Sequence, residues 1–110
     1  MIGSGNYADD RYGAVACTGW GEAAIRTATA RSVVIYLKFG YSLEAACREA
    51  FRDLALAPIL RGTPNTMSLI AIDRNGNHCA MTTAEERTYV YQADGMDHFV
   101  ELPRIVVTID

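Results

Sequence analysis

Hydrophobic positions recur at two spacings along this chain, and they predict strands and helices in a definite order. A short apolar run over residues 13–17 predicts a strand. Over residues 22–39 the apolar positions recur at helical spacing, and the stripe they form covers most of the circumference. This predicts a helix packed on two sides and ended by Gly40. Ser42 is placed to cap a second helix whose apolar residues share one face.

The second half of the chain has the shorter spacing of strands. Residues 68–72 and 78–81 are apolar runs that flank Asn75-Gly76, a dipeptide that favours a hairpin turn. Alternation over residues 87–92 predicts a third strand. Residues 99–109 are β-prone but contain Pro103, which predicts an edge strand or an extended tail. Residues 57–66 are expected to form a surface connection, and residues 6–10 a polar turn.

This order of elements predicts an α+β fold, with two helices packed on one face of an antiparallel sheet. The length of 110 residues suits one domain. No predicted element remains to cover the second face of the sheet. We therefore expect a further layer that comes from outside these residues.

Composition narrows the classes of protein that fit. Half the residues are apolar, 21% are charged and the formal net charge is -3, which argues against a nucleic-acid surface. No apolar run approaches the length of a membrane span, and the first residues lack the pattern of a signal peptide. These features predict a soluble protein. They favour a cytoplasmic location, and a periplasmic one stays open.

The cysteines and histidines do not form a metal-binding motif. Cys17, Cys47 and Cys79 are an odd number with no Cys-x-x-Cys spacing, so we expect buried free thiols. His78 and His98 lie in separate segments and are expected to be half-exposed polar positions.

The junction between the first strand and the first helix is the strongest candidate for chemistry. It contains Thr18-Gly19-Trp20-Gly21. The first amides of a helix have no partner inside it and attract a carboxylate, phosphate or oxyanion. Thr18 adds a hydroxyl, and the glycines let a ligand approach the backbone. The junction therefore predicts an anion site.

Two other interpretations of the junction are open at this point. Gly19, Gly21 and the small residues that follow fit a loose dinucleotide fingerprint, but that fold needs a second parallel strand where this chain predicts helix. The simpler interpretation is structural. Thr18 would cap the helix, and the glycines would only permit a tight turn.

Several segments resemble the small subunit of the glycosylasparaginase and type 2 asparaginase (isoaspartyl peptidase) family, in matching order and spacing. Before the second helix they are Ile2-Gly3-Ser4-Gly5, Tyr7-Ala8-Asp9-Asp10, Gly13-Ala14, Thr18-Gly19-x-Gly21-Glu22 and Ile25-Arg26. After it begins they are Ala45-Ala46-Cys47-x-Glu49-Ala50 and Leu69-Ile70-Ala71-Ile72-Asp73 with Gly76. The resemblance covers nearly the whole chain and is firmer before residue 80.

The resemblance implies an N-terminal nucleophile hydrolase with an αββα sandwich, of which this chain would form about half. In this family a threonine at the start of the small subunit attacks the side-chain amide of an aspartyl compound. Thr18 and Gly19 would be catalytic, with the Thr18 hydroxyl and the Gly19 N–H forming the oxyanion hole. The Gly19 carbonyl would hold the substrate's α-ammonium group, and Gly21 its α-carboxylate. Trp20 would either wall the pocket or pack outward.

The chain also departs from the family pattern. The nucleophilic threonine, and the arginine and aspartate that hold the substrate, would precede Met1. Thr63 follows a glycine but lies in a connecting loop, so the nucleophile's role is not transferred to it. We therefore expect the carboxyl-terminal part of a small subunit, inactive by itself. Its partners would be the large subunit and the nucleophile segment in an oligomer of α/β units, with no cofactor, metal, nucleic acid or membrane.

The resemblance implies release of L-aspartate from asparagine, β-aspartyl peptides or glycosylated asparagine. Residues 7–10 and the region after residue 80 lean weakly toward glycosylasparaginase. The alternative function is a non-catalytic remnant, or a small module that binds an anion or amino acid.

Overall fold

The computed structural model describes residues 1–19, 21–56, 66–84 and 87–107, which form an α+β fold as predicted. None of the helices within these ranges is long and apolar enough to cross a membrane. In chain order the elements are β1 (Asn6–Asp9), β2 (Gly13–Gly19), α1 (Gly21–Thr27), α2 (Thr29–Lys38), α3 (Leu43–Leu56), β3 (Met67–Asp73), β4 (His78–Thr82), β5 (Thr88–Tyr91), β6 (Val100–Pro103) and β7 (Ile105–Val106).

Five strands form one sheet in the order β1-β2-β3-β4-β7. The first four strands pair antiparallel, and β7 runs parallel to β4. The end of β2 lies beside the start of β3, because Gly19 pairs with Met67 and Thr18 with Ser68. Ser68 pairs in turn with Thr82 at the end of β4. β5 and β6 form a separate antiparallel ribbon.

One face of the sheet packs against the helices and forms the core. Alternate strand residues point to this face, as the period of two requires. Phe51 and Leu54 of α3 are almost completely buried against it. The core residues from the strands are Val15, Met67, Leu69, Ala71, Cys79 and Met81, and those from the helices include Ala30, Val33, Val34, Ala46, Cys47 and Ala50.

The predicted ends of the helices are largely confirmed. Gly40 adopts a φ of 94°, a conformation that suits glycine at the end of a helix. The Ser42 hydroxyl accepts a hydrogen bond from the Ala45 N–H at 3.2 Å, so Ser42 caps α3. Between the helices, the Tyr36 hydroxyl donates to the Asp53 carboxylate at 2.5 Å. This bond joins α2 to α3.

The first predicted helix is divided in two, which its apolar stripe did not indicate. Ala28 adopts a φ of 47°, so α1 ends before it and α2 starts after it. The first turn of α2 has partners that are remote in sequence. The amides of Ala30 and Arg31 donate to the carbonyls of Ser4 and Gly3, at 3.3 and 2.9 Å. The chain start therefore satisfies amides that the break leaves free.

Two predictions about strands were wrong. Residues 6–9 form strand β1 instead of a polar turn, because their backbone pairs with β2, as in Asn6 with Ala16. The sheet is also not wholly antiparallel. After Pro103 the chain turns, and Ile105 pairs in parallel with Met81. Residues 57–65, within the predicted connection, lie outside the described part of the chain.

The second face of the sheet is open in part, which corrects the prediction that nothing would cover it. Ile70 and Ile72 are 45% and 47% exposed on this face. The β5–β6 ribbon shields the region near β4, where His78 Nδ1 lies 2.9 Å from the Tyr89 hydroxyl. The His78 ring also lies 4.2 Å from the Tyr91 ring, centroid to centroid. An apolar cleft of about 570 Å³ remains between ribbon and sheet.

The three cysteines are free thiols. Cys47 and Cys79 are buried, as predicted, whereas Cys17 is half-buried. His78 is half-buried and His98 is exposed. The part of the chain that the structure describes contains no group of three His, Cys, Asp or Glu side chains that could hold a metal ion.

Candidate active site

The Thr-Gly-x-Gly turn lies where strand β2 ends and helix α1 begins. Thr18 and Gly19 are the last residues of β2, and Gly21 is the first residue of α1. All three are exposed, and Trp20 lies outside the described residues. The helix is seven residues long, shorter than predicted. Attraction for an anion at this turn therefore depends on individual amides more than on a long helix dipole.

The Thr18 side chain is available to a ligand. Its hydroxyl makes no hydrogen bond to any residue that the structure describes, including the first amides of α1. This argues against the interpretation of Thr18 as a helix cap. The dinucleotide interpretation also fails, because β2 has antiparallel neighbours on both sides and two further helices follow α1.

Gly19 occupies a position that only glycine fits. Its φ is 109°, which side chains rarely adopt. A Cβ added at Gly19 would lie 2.1 Å from the carbonyl oxygen of Thr66 and 3.2 Å from the Cα of Met67. The backbone of Gly19 therefore rests directly on the start of β3.

Gly21 is under no such constraint. Apart from its chain neighbours, no described residue has an atom within 4 Å of the position that a Cβ would take there, and its φ is not in the left-handed region. The absence of a side chain at Gly21 leaves open space beside the first amide of α1. Backbone geometry therefore requires glycine at position 19 but not at position 21.

Thr18, Gly19 and Gly21 line one recess of about 160 Å³. The sequence-predicted site residues are therefore brought together. The other lining residues are Met1, Ser4, Gly5, Cys17, Ala24, Ile25 and Met67. Met1 thus lines the same recess as the turn.

Residues 1–5 form a hook that is held by backbone hydrogen bonds. The Met1 carbonyl accepts bonds from the Ser4 hydroxyl at 3.1 Å and the Gly5 N–H at 2.9 Å. The Gly5 carbonyl accepts the Cys17 N–H at 2.7 Å. Together with the bonds to α2, these contacts fix the entry of the chain beside the turn. Sequence reasoning missed the hook, although the glycines on both sides of Ser4 are typical of tight turns.

Among the described residues that line the recess there is neither an activated nucleophile nor a charged side chain. Burial raises the pKa of the Cys17 thiol to about 11, so it stays protonated and is a poor nucleophile at neutral pH. No acidic or basic side chain is among the lining residues that the structure describes. The recess offers hydroxyl, N–H and carbonyl groups, which suit an oxyanion or the head of an amino acid. Thr63 lies outside the described residues.

Comparisons with known proteins agree with the resemblance found in the sequence. The family model described as Asparaginase matches residues 1–101. The chain is 36% identical over 97 residues to a plant-type L-asparaginase of Thermococcus kodakarensis, covering 88% of this chain and 30% of the relative. It is 31% identical over 98 residues to an isoaspartyl peptidase/L-asparaginase of Danio rerio, covering 89% and 30%. An isoaspartyl peptidase of Salmonella typhimurium is 37% identical over 78 residues, covering 70% and 23%.

The α+β architecture and the family match together identify part of an N-terminal nucleophile hydrolase fold. The chain belongs to the asparaginase family whose model it matches. It spans about 30% of the length of the curated relatives from Thermococcus kodakarensis and Danio rerio.

Proposed function

We propose that this chain supplies the oxyanion hole of an asparaginase-class amidohydrolase. The observation that carries the proposal is the recess at the turn. There the Thr18 hydroxyl, which has no hydrogen-bond partner among the described residues, and the backbone of Gly19, with its φ of 109°, line the same space as Met1. Two donors fixed before the reaction stabilise a developing negative charge without reorganisation.

The reaction begins on a threonine contributed by a segment that joins the chain ahead of Met1. Its Oγ attacks the side-chain amide carbon of the substrate, and its α-amino group takes the hydroxyl proton. The carbonyl oxygen becomes an oxyanion that accepts hydrogen bonds from the Thr18 hydroxyl and the Gly19 N–H. The α-ammonium group of the threonine then gives this proton to the amide nitrogen. Collapse of the oxyanion expels ammonia or an amine and leaves an aspartyl ester on the threonine. Water then hydrolyses this ester and releases L-aspartate.

The backbone of the turn holds the head of the substrate. The Gly19 carbonyl accepts from the α-ammonium group, and the open space at Gly21 admits the α-carboxylate to the first amide of α1. The family resemblance implies that an arginine and an aspartate from the preceding segment complete the binding site. No charged side chain lines the recess within the described residues, which agrees with this.

The substrate is an asparagine-type compound with a free amino-acid head. The relatives named above are L-asparaginases and isoaspartyl peptidases, which favours ammonia or an α-amino group as the leaving group. Glycosylated asparagine is the third candidate, to which residues 7–10 lean. The residues that discriminate among these three substrate types lie in the remaining segments of the enzyme.

The partners of this chain are the large subunit and the nucleophile segment. The open face of the sheet, with half-exposed Ile70 and Ile72, is where a second sheet would pack to complete an αββα sandwich. We use the term complete enzyme for this chain together with those segments, in an oligomer of α/β units.

A non-catalytic remnant is the second candidate, and the absence of a nucleophile from the described recess favours it. The coding sequence upstream of Met1 discriminates between the two. A segment with a Gly-Thr or Asp-Thr cleavage site supports the enzyme. An authentic start codon with no companion gene contradicts it.

Coexpression provides the biochemical test. The chain is produced with its upstream segment, and release of aspartate from asparagine and from a β-aspartyl dipeptide is measured. The enzyme proposal predicts release by the complex and none by the chain alone. A folded complex that releases no aspartate from any of the three substrate types would falsify it.

A further inference from the structure

The turn at Gly19 is supported by the residues that begin strand β3. Gly19 lies against the Thr66 carbonyl and the Met67 Cα, so the position of its amide depends on where the start of β3 lies. Thr66 is exposed and precedes the strand. The contacts that Met67 makes with its other neighbours therefore help to fix this point of the chain.

Thr83 holds both polar backbone groups of Met67. The Thr83 hydroxyl accepts the Met67 N–H at 2.9 Å, and the Thr83 N–H donates to the Met67 carbonyl at 2.9 Å. Met67 is 1% exposed, so water cannot readily reach its backbone groups. Loss of either hydrogen bond would leave a buried polar group without a partner, which costs free energy. A single residue just after β4 thus fixes the residue on which Gly19 rests.

The neighbouring residues reinforce this arrangement. The Ser68 and Thr82 hydroxyls lie 2.8 Å apart and are both buried. The Ala84 N–H donates to the Thr82 hydroxyl at 3.1 Å. The segment that carries Thr83 is therefore tied to β3 on both sides of Met67. Gly19 and Met67 pair across the strands, so this order extends to the turn.

We propose that Thr83 is a positioning residue for the oxyanion hole, acting through Met67 on Gly19. This inference rests on the proposed function of the Thr18–Gly19 turn. Thr83 is not among the residues that line the recess, so its action on the oxyanion hole is indirect. Its effect is on turnover, because a misplaced amide weakens transition-state stabilisation more than substrate binding.

The test compares three substitutions in the complete enzyme. Thr83→Val keeps the shape of the side chain and removes the acceptor of the Met67 N–H. Thr83→Ser keeps that acceptor. Thr88→Val is the matched control, because it removes a hydroxyl that donates to Glu101 at 2.8 Å on the ribbon. Thr83→Ala repeats the test if the valine variant does not fold.

For Thr83→Val we expect kcat to fall by about tenfold with KM within about twofold, less than the hundredfold or more typical of a lost direct donor. Thr83→Ser should restore kcat, and Thr88→Val should leave it unchanged. Hydrogen exchange of the amides of residues 17–19 should be faster in Thr83→Val alone. Parental kcat in Thr83→Val, or a serine variant that is equally impaired, overturns the positioning role.

The exchange measurement separates this inference from the proposed function. If the parental protein releases no aspartate, the proposed function fails and exchange alone decides the role of Thr83. Faster exchange at residues 17–19 in Thr83→Val would then still show that Thr83 holds the turn in place through Met67. Unchanged exchange would overturn it.

Discussion

At the scale of single residues, the two glycines of the turn perform different tasks. Gly19 is required by its positive φ and by the Thr66 carbonyl that fills the place of a side chain. Gly21 has an ordinary φ and, among the described residues, open space beside it, so under the proposed function glycine serves there to give a ligand access to its amide. The same residue type is thus required by backbone geometry at Gly19, whereas at Gly21 we propose that it serves ligand access.

Alanine substitutions should separate these tasks. Gly19→Ala forces the end of β2 away from β3, and we expect a clear loss of thermal stability together with loss of turnover in the complete enzyme. Gly21→Ala should unfold at the parental temperature and mainly raise KM, because its methyl group enters the recess. Thermal unfolding and steady-state kinetics measure both. Equal stability of the two variants would contradict the contact between Gly19 and Thr66.

At the scale of elements, the break between α1 and α2 is the feature that local pattern failed to predict. The left-handed conformation of Ala28 is unfavourable for an alanine. Residues 1–5 compensate for it, because they accept hydrogen bonds from the first amides of α2. Such bonds between distant parts of the chain leave no local periodicity. By contrast, the Ser42 cap and Gly40 were predictable, because they act within their own turn.

Glycine at the break should stabilise the fold. Ala28→Gly relieves the left-handed conformation and is expected to raise the free energy of unfolding by up to about 1 kcal/mol. Ala30→Gly, at a buried position in the first turn of α2, should lower it by about 1 kcal/mol or more, because it also removes a buried methyl group. Chemical denaturation of both variants measures the difference. A destabilised Ala28→Gly protein would show that Ala28 is not strained.

The bond between α2 and α3 gives a pH dependence. Chiefly through its hydrogen bond to Asp53, the pKa of Tyr36 rises from 10.0 to about 12. The unfolded chain therefore ionises Tyr36 first as pH rises, so the stability contributed by this bond is present below pH 10 and is lost toward pH 12. Tyr36→Phe should be less stable at neutral pH, and its difference from the parent should shrink over this interval. A pH-independent difference in denaturation midpoints would contradict the assignment.

At the scale of the whole molecule, the sequence predicted the layers better than the strand order. The α+β class and the helix-covered face follow from periodicity within segments. The parallel pairing of β7 and the separate β5–β6 ribbon depend on contacts between distant residues. The turn was recognisable from Thr18, Gly19 and Gly21, but its support by Thr83 was not, because Thr83 acts through the backbone of Met67.

The open face should govern assembly. Ile70→Lys places a charge in the centre of the exposed face and should prevent coassembly with the large subunit, because a buried unpaired charge is costly. Phe39→Lys changes an equally apolar residue that is 71% exposed at the end of α2, and it should assemble normally. Copurification of the subunits measures this. Normal assembly of Ile70→Lys would exclude this face as the interface.

The central claim is that the Thr18 hydroxyl stabilises the oxyanion. The most direct measurement is kcat for aspartate release by the complete enzyme carrying Thr18→Ala, with Thr18→Ser as the control that keeps the hydroxyl. We predict a loss of roughly a hundredfold or more for alanine, an unchanged unfolding temperature, and substantial activity for serine. A folded Thr18→Ala enzyme with parental kcat would contradict the account.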